Sequence, residues 1–336
     1  MITIKDLSRA CGVSPSTVSK VLNGYSDVSR ETADHVFRVA EEMGYTPNAA
    51  ARLLKTNHSN GIGVLFFDEI NSGMRNEFFS CVLNGLREEA ESCGYDITFI
   101  SREMGKSRMS YLEHCRYRQF DGVIIVCANF SDPGVIELVE SDIPVVIVDH
   151  RYDQCGSVLS DNANGMEELV RYVAGKGHRE LAYIHGESTS VTQSRLAGFY
   201  RACEAFGIRV REELVRQARY HDPDFSARET KAILEGPIRP TCIFYPDDFS
   251  LIGGRNEIEN AGLSIPGEIS IVGYDGIVLS QVLHPVLTTM VQDADGMGRA
   301  AARMIVDCVE NPKTYLPRTI RIPGRLQKGA SVSEIG

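Results

Sequence analysis

The first 24 residues carry apolar positions at spacings of three and four, a pattern that predicts two short helices. Thr3 and Asp6 have the spacing of a capping box at the start of the first helix, and Gly12 ends it. Ser14 and Pro15 are residue types preferred at the N-cap and the first position of the second helix. Two helices joined by a tight turn predict a helix-turn-helix, although an ordinary helical hairpin would show the same pattern.

The second predicted helix has a buried face and an outward face. Val18 and Val21 belong to its apolar stripe, which turns Ser16, Ser19 and Lys20 outward. Outward polar residues at this spacing suit a helix that lies in a DNA major groove.

A third helix and a short fourth segment follow. The third is predicted between the cap Ser29 and the stop Gly44. Residues 47–55 begin with Pro47 and are rich in alanine and leucine, which favours a helix. A helix this short is marginal alone, so we expect it to form mainly when a partner holds it; a simple tether is the alternative. Residues 56–61 read as the linker proper.

From Gly61 onward, apolar runs alternate with segments of helical periodicity. Near-continuous apolar runs are typical of parallel strands buried on both faces of a sheet. The predicted strands are 62–67, 96–100, 122–126, 145–149, 181–185, 214–218, 242–245 and 269–274, and the predicted helices are 77–93, 109–118, 135–140, 164–176, 194–206, 225–234 and 251–261. The expected fold class is an α/β core of two doubly wound subdomains with an all-α headpiece. A ligand would then bind between the subdomains, at the carboxyl ends of the strands.

The distribution of charge reconciles an acidic chain with DNA binding. The net charge is −10, but residues 1–57 contain seven lysines or arginines and six acidic residues. The acidity therefore belongs to the core, and a nearly neutral headpiece predicts modest non-specific affinity that a dimer would raise.

Other classes of protein are disfavoured. The nine cysteines form no Cys-x-x-Cys pair, which argues against a disulfide framework and a zinc site. No apolar run approaches the roughly 20 residues of a membrane span, and Met1 opens directly into an amphipathic helix, so we expect a cytoplasmic protein without a leader. The chain has no HExxH or Walker motif, and residues 186–190 lack the final glycine of a nucleophile elbow. We therefore expect neither an enzyme, a metal site nor a cofactor.

The run from Thr3 to Leu54 resembles the DNA-binding headpiece and hinge of the lactose-repressor (LacI) family of bacterial transcription factors. Further family motifs follow in the family's order: 62–65, 121–125, 143–149, 177–179, 195–199, 271–275 and 287–289. The resemblance implies a core like that of periplasmic sugar-binding proteins, in which the chain crosses three times between subdomains. The expected domains are a headpiece (1–46), a hinge helix and linker (47–59), a first core subdomain (60–158 plus 290–318) and a second (159–289 plus 319–336).

The resemblance also implies a DNA-contacting surface. Ser16 and Lys20 would meet base edges and Pro15 would make an apolar contact, because this helix face reads bases in the family. The phosphate-contacting residues would be Thr3, Ser14, Thr17, Ser19, Ser29 and Thr32. Asn23, at the end of the second helix, would be a further DNA contact. In the hinge, Leu54 would wedge into the minor groove, with Ala51 and Lys55 lying along it.

The family's effector contacts match five polar residues. They are Asp149, Arg195, Asp247, Asp275 and Gln292. Carboxylates and a guanidinium suit paired hydrogen bonds with adjacent hydroxyls, as on a sugar ring. Asp247 stands where the family more often has Asn or Ser, and the neighbouring Asp248 is expected to cap the following helix. The loop 68–79 departs from the family pattern, so contacts are not transferred to Asn71, Phe78 or Arg102, and Phe78 is expected in the core.

The resulting hypothesis is a homodimeric repressor that binds a pseudo-palindromic operator under the control of a small effector, a carbohydrate by expectation. A purine or nucleobase corepressor is the alternative within the family, and a solute-binding module is the alternative outside it. Residues 325–336 show no heptad repeat, so no tetramerising coiled coil is predicted.

Overall fold

The computed structural model describes residues 2–22, 25, 27–45, 58–67, 73–104 and 107–335. The chain divides into two compact units, 1–59 and 60–336, here called the headpiece and the core. The predicted contacts Asn23, Ala51, Leu54 and Lys55 lie outside the described residues, as do Asn71 and hinge residues 47–57.

The headpiece contains the three predicted helices: α1 (Ile4–Cys11), α2 (Pro15–Leu22) and α3 (Arg30–Glu42). Thr3 and Asp6 form the predicted capping box of α1, and Gly12 ends the helix with a φ of 65°, which glycine adopts without strain. Ser29 caps α3 by accepting from the backbone N–H of Thr32. The predicted caps are therefore confirmed.

A small apolar cluster holds the three helices together. Its fully buried members include Leu7, Val18 and Val36, one from each helix. These residues lie at helical spacing on the inner faces, so their burial leaves the opposite faces polar and exposed.

The core contains two six-stranded sheets. The first has the order β13-β7-β6-β5-β1-β2, and all of its strands are parallel. Its strands are β1 (Gly61–Phe66), β2 (Asp96–Phe99), β5 (Gly122–Cys127), β6 (Val145–Val148), β7 (Gly156–Ser160) and β13 (Thr319–Ile322). The helices packed around this sheet are α4 (Glu77–Ser92), α5 (Tyr111–Arg118), α6 (Pro133–Val139) and α12 (Ala294–Glu310). A two-stranded hairpin, β3 (Glu103–Met104) and β4 (Ser107–Arg108), precedes α5.

The second sheet repeats this arrangement with the order β14-β12-β11-β10-β8-β9. Only its edge strand β14 is antiparallel. The strands are β8 (Leu181–His185), β9 (Val215–Gln217), β10 (Cys242–Phe244), β11 (Ser270–Asp275), β12 (Thr288–Val291) and β14 (Arg325–Gln327). The helices are α7 (Asn162–Gly175), α8 (Ser190–Ala205), α9 (Pro223–Leu234), α10 (Leu251–Asn260) and α11 (Leu279–Val282). The direction in which successive strands are added reverses between β1 and β5 in the first sheet and between β8 and β10 in the second. Doubly wound folds bind ligands at such a switch point.

The apolar strands are buried on both faces, as predicted. Along β5, Val123 and Ile125 join one apolar cluster while Ile124 and Val126 join another, because successive side chains point to opposite faces. On one face α4 packs closely on α12, and a Cβ at Gly298 would lie 2.0 Å from the carbonyl oxygen of Val82. A glycine is therefore required at this helix crossing.

The chain crosses between the subdomains three times, but later than the predicted boundaries. The crossings follow β7, β12 and β13, at residues 160–162, 291–294 and 322–325. The assignment of 319–322 to the second subdomain is wrong, because β13 pairs with β7 of the first sheet. This edge strand is short and half exposed, so its sequence lacks the apolar run that marks a central strand. Among the described residues, no helix is both long and apolar enough to cross a bilayer.

Candidate functional site

The outer face of α2 exposes the residues predicted to read DNA. The backbone N–H of Thr17 donates to Ser14 Oγ at 3.1 Å, which fixes the start of the helix at Pro15. Pro15, Ser16 and Lys20 are exposed, whereas Val18 is fully buried beneath them. The helix thus presents one face to the headpiece core and the other to solvent.

The small hydroxyl residues predicted to contact phosphates lie at helix starts, except Ser19, which lies within α2. Ser14 Oγ is 2.8 Å from Thr17 Oγ1, and Ser29 Oγ is 2.8 Å from Thr32 Oγ1. Thr3 occupies the same position on α1. Backbone N–H groups at a helix start favour an anion, so these positions suit phosphate groups. Phosphate contact by these residues stays a prediction.

Lys20 is already paired in the headpiece, with the carboxylate of Asp27. Both side chains are about half exposed, and this hydrogen bond lowers the pKa of Asp27. Solvent screens an exposed ion pair and makes it weak, so Lys20 can exchange Asp27 for a base at little cost.

In the core, several predicted effector residues meet at the carboxyl ends of the strands. Asp275 ends β11, Gln292 follows the adjacent β12, and Gln292 Nε2 donates to Asp275 Oδ1 at 2.7 Å. Arg195 Nη2 lies 3.8 Å from the same oxygen. Asp149, which follows β6 of the other sheet, interacts electrostatically with both Arg195 and Asp275. We call these four residues the crevice cluster.

Arg195 is buried and held from several sides. Its Nε donates to Asn162 Oδ1 at 2.7 Å, and its Nη1 donates to the carbonyl of Pro246 at 2.8 Å. Its guanidinium carbon lies 3.5 Å from the ring centre of Tyr274 and 5.7 Å from that of Tyr220. These contacts orient Arg195 before any ligand arrives.

The two carboxylates of the crevice cluster sit on unusual backbone. Asp149 has a φ of 54° and Asp275 a φ of 97°, a region that residues other than glycine seldom adopt and that Asp tolerates better than most. The Ser160 N–H donates to Asp149 Oδ1 at 2.8 Å. Burial raises the pKa of Asp149 to about 6, and burial also raises the pKa of Asp275. The charge of Arg195 acts against this shift at both acids but does not cancel it.

Asp247 and Asp248 are neighbours in the chain but accept hydrogen bonds from different partners. The Asp247 carboxylate accepts from the Ser250 N–H and hydroxyl, both at 2.7 Å, and from the His221 N–H at 2.9 Å. Its position as an effector contact stays a prediction, with these internal donors already in place. The predicted helix cap at Asp248 is wrong: its carboxylate accepts from Gly276, Ile277 and the Thr289 hydroxyl instead. Asp248 therefore ties the carboxyl ends of β11 and β12 together.

The aromatic and amide neighbours of Arg195 could not be recognised as site residues from the sequence. Tyr274 precedes Asp275 in an apolar strand and was indistinguishable from core, and Asn162 looked like an ordinary helix start. Tyr220 Oη lies 2.8 Å from Thr192 Oγ1, which places its ring beside α8. The one usable signal was position, since each residue lies at or beside a strand end.

Among the described residues, contacts at two places join the subdomains across the crevice. Ser190, at the start of α8, donates its hydroxyl to the carbonyl of Asp149 at 2.9 Å and lies 3.3 Å from His150 Nδ1. The Val278 N–H donates to Glu77 Oε1 at 2.9 Å. The crevice walls are therefore linked at two separate places.

In the first subdomain, several polar and aromatic side chains contact each other. Arg102 pairs with Asp132 and stacks over the ring of Tyr111 at 4.3 Å. His150 stacks on Phe130 with ring centres 4.0 Å apart. Phe78 is buried in the apolar cluster around α4, which confirms its expected place in the core.

Comparisons with known proteins agree on one family and one fold. Residues 3–48 match the bacterial regulatory proteins of the lacI family, and residues 170–332 match a periplasmic binding protein-like domain. The HTH-type transcriptional repressor PurR of Escherichia coli O139:H28 is 31% identical over 99% of this chain and 98% of its own length. The lac repressor dimer bound to operator and the anti-inducer ONPF is 24% identical, covers 99% of each chain and has a TM-score of 0.80. The transcriptional regulator CelR in complex with cellobiose is 23% identical over 98% of this chain and 100% of its own, with a TM-score of 0.72.

Proposed function

Since this chain belongs to the lacI family of bacterial regulatory proteins, we propose that it is a repressor whose operator affinity is set by a carbohydrate bound in the crevice. The observation that carries the proposal is the crevice cluster, in which Asp149, Arg195, Asp275 and Gln292 come from both subdomains. The relatives are transcriptional regulators, and the proposal includes no catalytic step.

The chemistry of the crevice cluster favours a polyhydroxylated effector. Carboxylate and amide oxygens accept hydrogen bonds from hydroxyls, and the aromatic rings of Tyr220 and Tyr274 flank the same site. CelR, which shares this fold, was solved with cellobiose, a sugar. Nucleobases are the alternative class of effector, and a screen of both classes, described below, distinguishes them from sugars.

We propose further that the protein acts in the cytoplasm as a homodimer. Two headpieces would read the two halves of a pseudo-palindromic operator, because one nearly neutral headpiece gains little affinity from phosphates alone. The lac repressor of similar fold was solved as a dimer on its operator.

Transmission from crevice to DNA requires an effector that binds two arrangements of the core unequally. Ser190 and Glu77 make contacts that cross the crevice, so a change in the distance between its walls would break or restore them. Through the hinges this change would separate or bring together the two headpieces.

The test combines an effector screen with a variant of the crevice cluster. Sugars and nucleobases are screened by thermal melting, and operator binding is followed by fluorescence anisotropy with and without each stabilising compound. Arg195→Ala is expected to abolish the effector response while operator binding without effector stays within about threefold. Arg201→Ala is the matched control, since Arg201 lies on the same helix but is exposed and pairs only at the surface with Glu167.

A milder variant guards against misfolding, because Arg195 is buried. Asp275→Asn keeps the shape of the side chain and suits the positive φ. If both Arg195→Ala and Asp275→Asn bind effector with unchanged affinity by calorimetry, the crevice cluster is not the effector site. If only nucleobases alter operator binding, the carbohydrate assignment is replaced by the alternative.

A further inference from the structure

The crevice cluster has hydrogen-bond acceptors to spare. Among the described residues, the hydrogen bonds made to its two carboxylates end on one oxygen of each: Ser160 N–H on Asp149 Oδ1 and Gln292 Nε2 on Asp275 Oδ1. The Oδ2 atoms of both carboxylates are thereby left for a ligand. A carboxylate accepts several hydrogen bonds, so each is far from saturated.

The buried side-chain oxygen of Gln292 is a further acceptor without a donor within the described chain. Gln292 is 7% exposed, its Nε2 is held by Asp275, and within the described chain its Oε1 has no hydrogen-bond partner. A buried acceptor without a donor destabilises the folded protein, and a ligand donor would remove that cost. The crevice cluster therefore contains three acceptors without a donor in the described chain: the Oδ2 atoms of Asp149 and Asp275 and the Oε1 atom of Gln292.

Two of the three Arg195 nitrogens, Nε and Nη1, already donate to the protein. Each nitrogen of Arg195 has a protein neighbour: Asn162, the carbonyl of Pro246 and, at 3.8 Å, Asp275. One face of the guanidinium is covered by the ring of Tyr274. An anionic ligand group at Arg195 would also meet the charges of Asp149 and Asp275, whereas a cation would meet carboxylate oxygens that accept no hydrogen bond within the described chain.

We propose that the effector is a sugar that carries a protonated amine, held by the carboxylates of Asp149 and Asp275. The inference rests on the carbohydrate effector proposed above and adds its charge. An ammonium group offers three donors and no acceptor, which matches the excess of acceptors around it. Its positive charge would also offset the burial that raises the pKa of Asp149 and Asp275.

The same arrangement predicts which sugars are rejected. A phosphate or carboxylate group would bring a second negative charge against Asp149 and Asp275, and like charges in a buried site repel strongly. An N-acetylated amine is neutral and bulkier, so it would lose the charge interaction while keeping the sugar ring.

The experiment is calorimetry on the full-length protein at pH 7 and constant ionic strength. The probes are glucose, galactose and mannose, each compared with its 2-amino, N-acetylated 2-amino and 6-phosphate forms. We expect at least one amino sugar to bind at least tenfold more tightly than its parent sugar, and the N-acetyl and phosphate forms to bind more weakly than the amine.

Two variants tie the preference to the cluster. Asp149→Asn removes the charge and keeps an acceptor for the Ser160 N–H, so the advantage of the amine should shrink to threefold or less. Asp142→Asn, which removes a carboxylate on the surface, should leave the tenfold advantage intact. Melting curves of both variants establish that they are folded.

The outcomes separate this inference from the proposed function. If a neutral sugar binds as tightly as its amine and alters operator binding, the inference is overturned and the proposed function stands. If no amino sugar binds, or if a sugar phosphate binds best, the inference is also overturned. If the amine advantage survives in Asp149→Asn, the ammonium is not held where we place it.

Discussion

Asp149→Asn should make the effector-free protein more stable at neutral pH, although it weakens the proposed site. Burial raises the pKa of Asp149 from its ordinary value of 3.8 to about 6. The folded protein therefore holds an ionised carboxylate at pH 7 less readily than the unfolded chain does. Asparagine removes that charge, accepts from the Ser160 N–H and tolerates the positive φ.

The magnitude follows from the two pKa values. The difference between 3.8 and about 6 corresponds to about 3 kcal/mol in the free energy of unfolding. This is an upper bound, because Asp149 keeps some exposure to solvent, which screens the effect. For a domain of this size, each kcal/mol corresponds to roughly 2–4 °C in Tm.

The pH dependence has a definite sign. Above pH 6 Asp149 is ionised in both states and the full destabilisation is present. As pH falls from 6 towards 3.8, the folded state takes up a proton before the unfolded state does, so the destabilisation is lost. The groups that act on Asp149 are Arg195, Asp275 and the Ser160 N–H, and the variant leaves all of them in place.

The assay is thermal and urea unfolding of parent and variant between pH 4 and pH 7.5. The gain of the variant should be largest at pH 7 or above and should approach zero near pH 4. Asp142→Asn is the control, because Arg116 lowers the pKa of Asp142 and its loss should give no stabilisation. An Asp149→Asn protein that is less stable than the parent at pH 7, or a gain that is equal at all pH values, would refute the reasoning.

Other variants test the remaining parts of the mechanism. Lys20→Ala should relax specificity at one base pair per half-site, by about 1–3 kcal/mol in discrimination, and a uniform loss over all sequences would make Lys20 a phosphate contact. Leu54→Ala should weaken specific binding and flatten the DNA bend without changing effector affinity; a full bend in permuted-fragment gels would contradict the wedge. Ser190→Ala removes the bond to the Asp149 carbonyl and should change the effector concentration that half-releases operator, while Ser194→Ala, one turn further along α8, should not.

Local chemistry in the sequence was enough to predict the headpiece. The capping residues Thr3 and Asp6, and likewise Ser29 and Thr32, are three residues apart. The hydrogen bonds that start these helices therefore lie within one helical turn and can be recognised from local sequence. The apolar runs of the central strands were equally readable, because burial on both faces demands apolar residues at every position.

Long-range contacts decided what local patterns could not. Asp247 and Asp248 are neighbours with the same side chain, yet Asp248 binds residues 28 and 41 positions away, whereas Asp247 binds Ser250 three positions away and His221 26 positions away. The edge strand β13 joins the first sheet only because β7 offers it a parallel edge. The order of strands determines which polar residues meet at the crevice, and that order depends on the packing of the whole chain. Sequence alone therefore predicted the headpiece helices, the central strands and the family, but not α12 or β13, while the tertiary structure decided which carboxylates tie strands together and which accept only one hydrogen bond in the described chain.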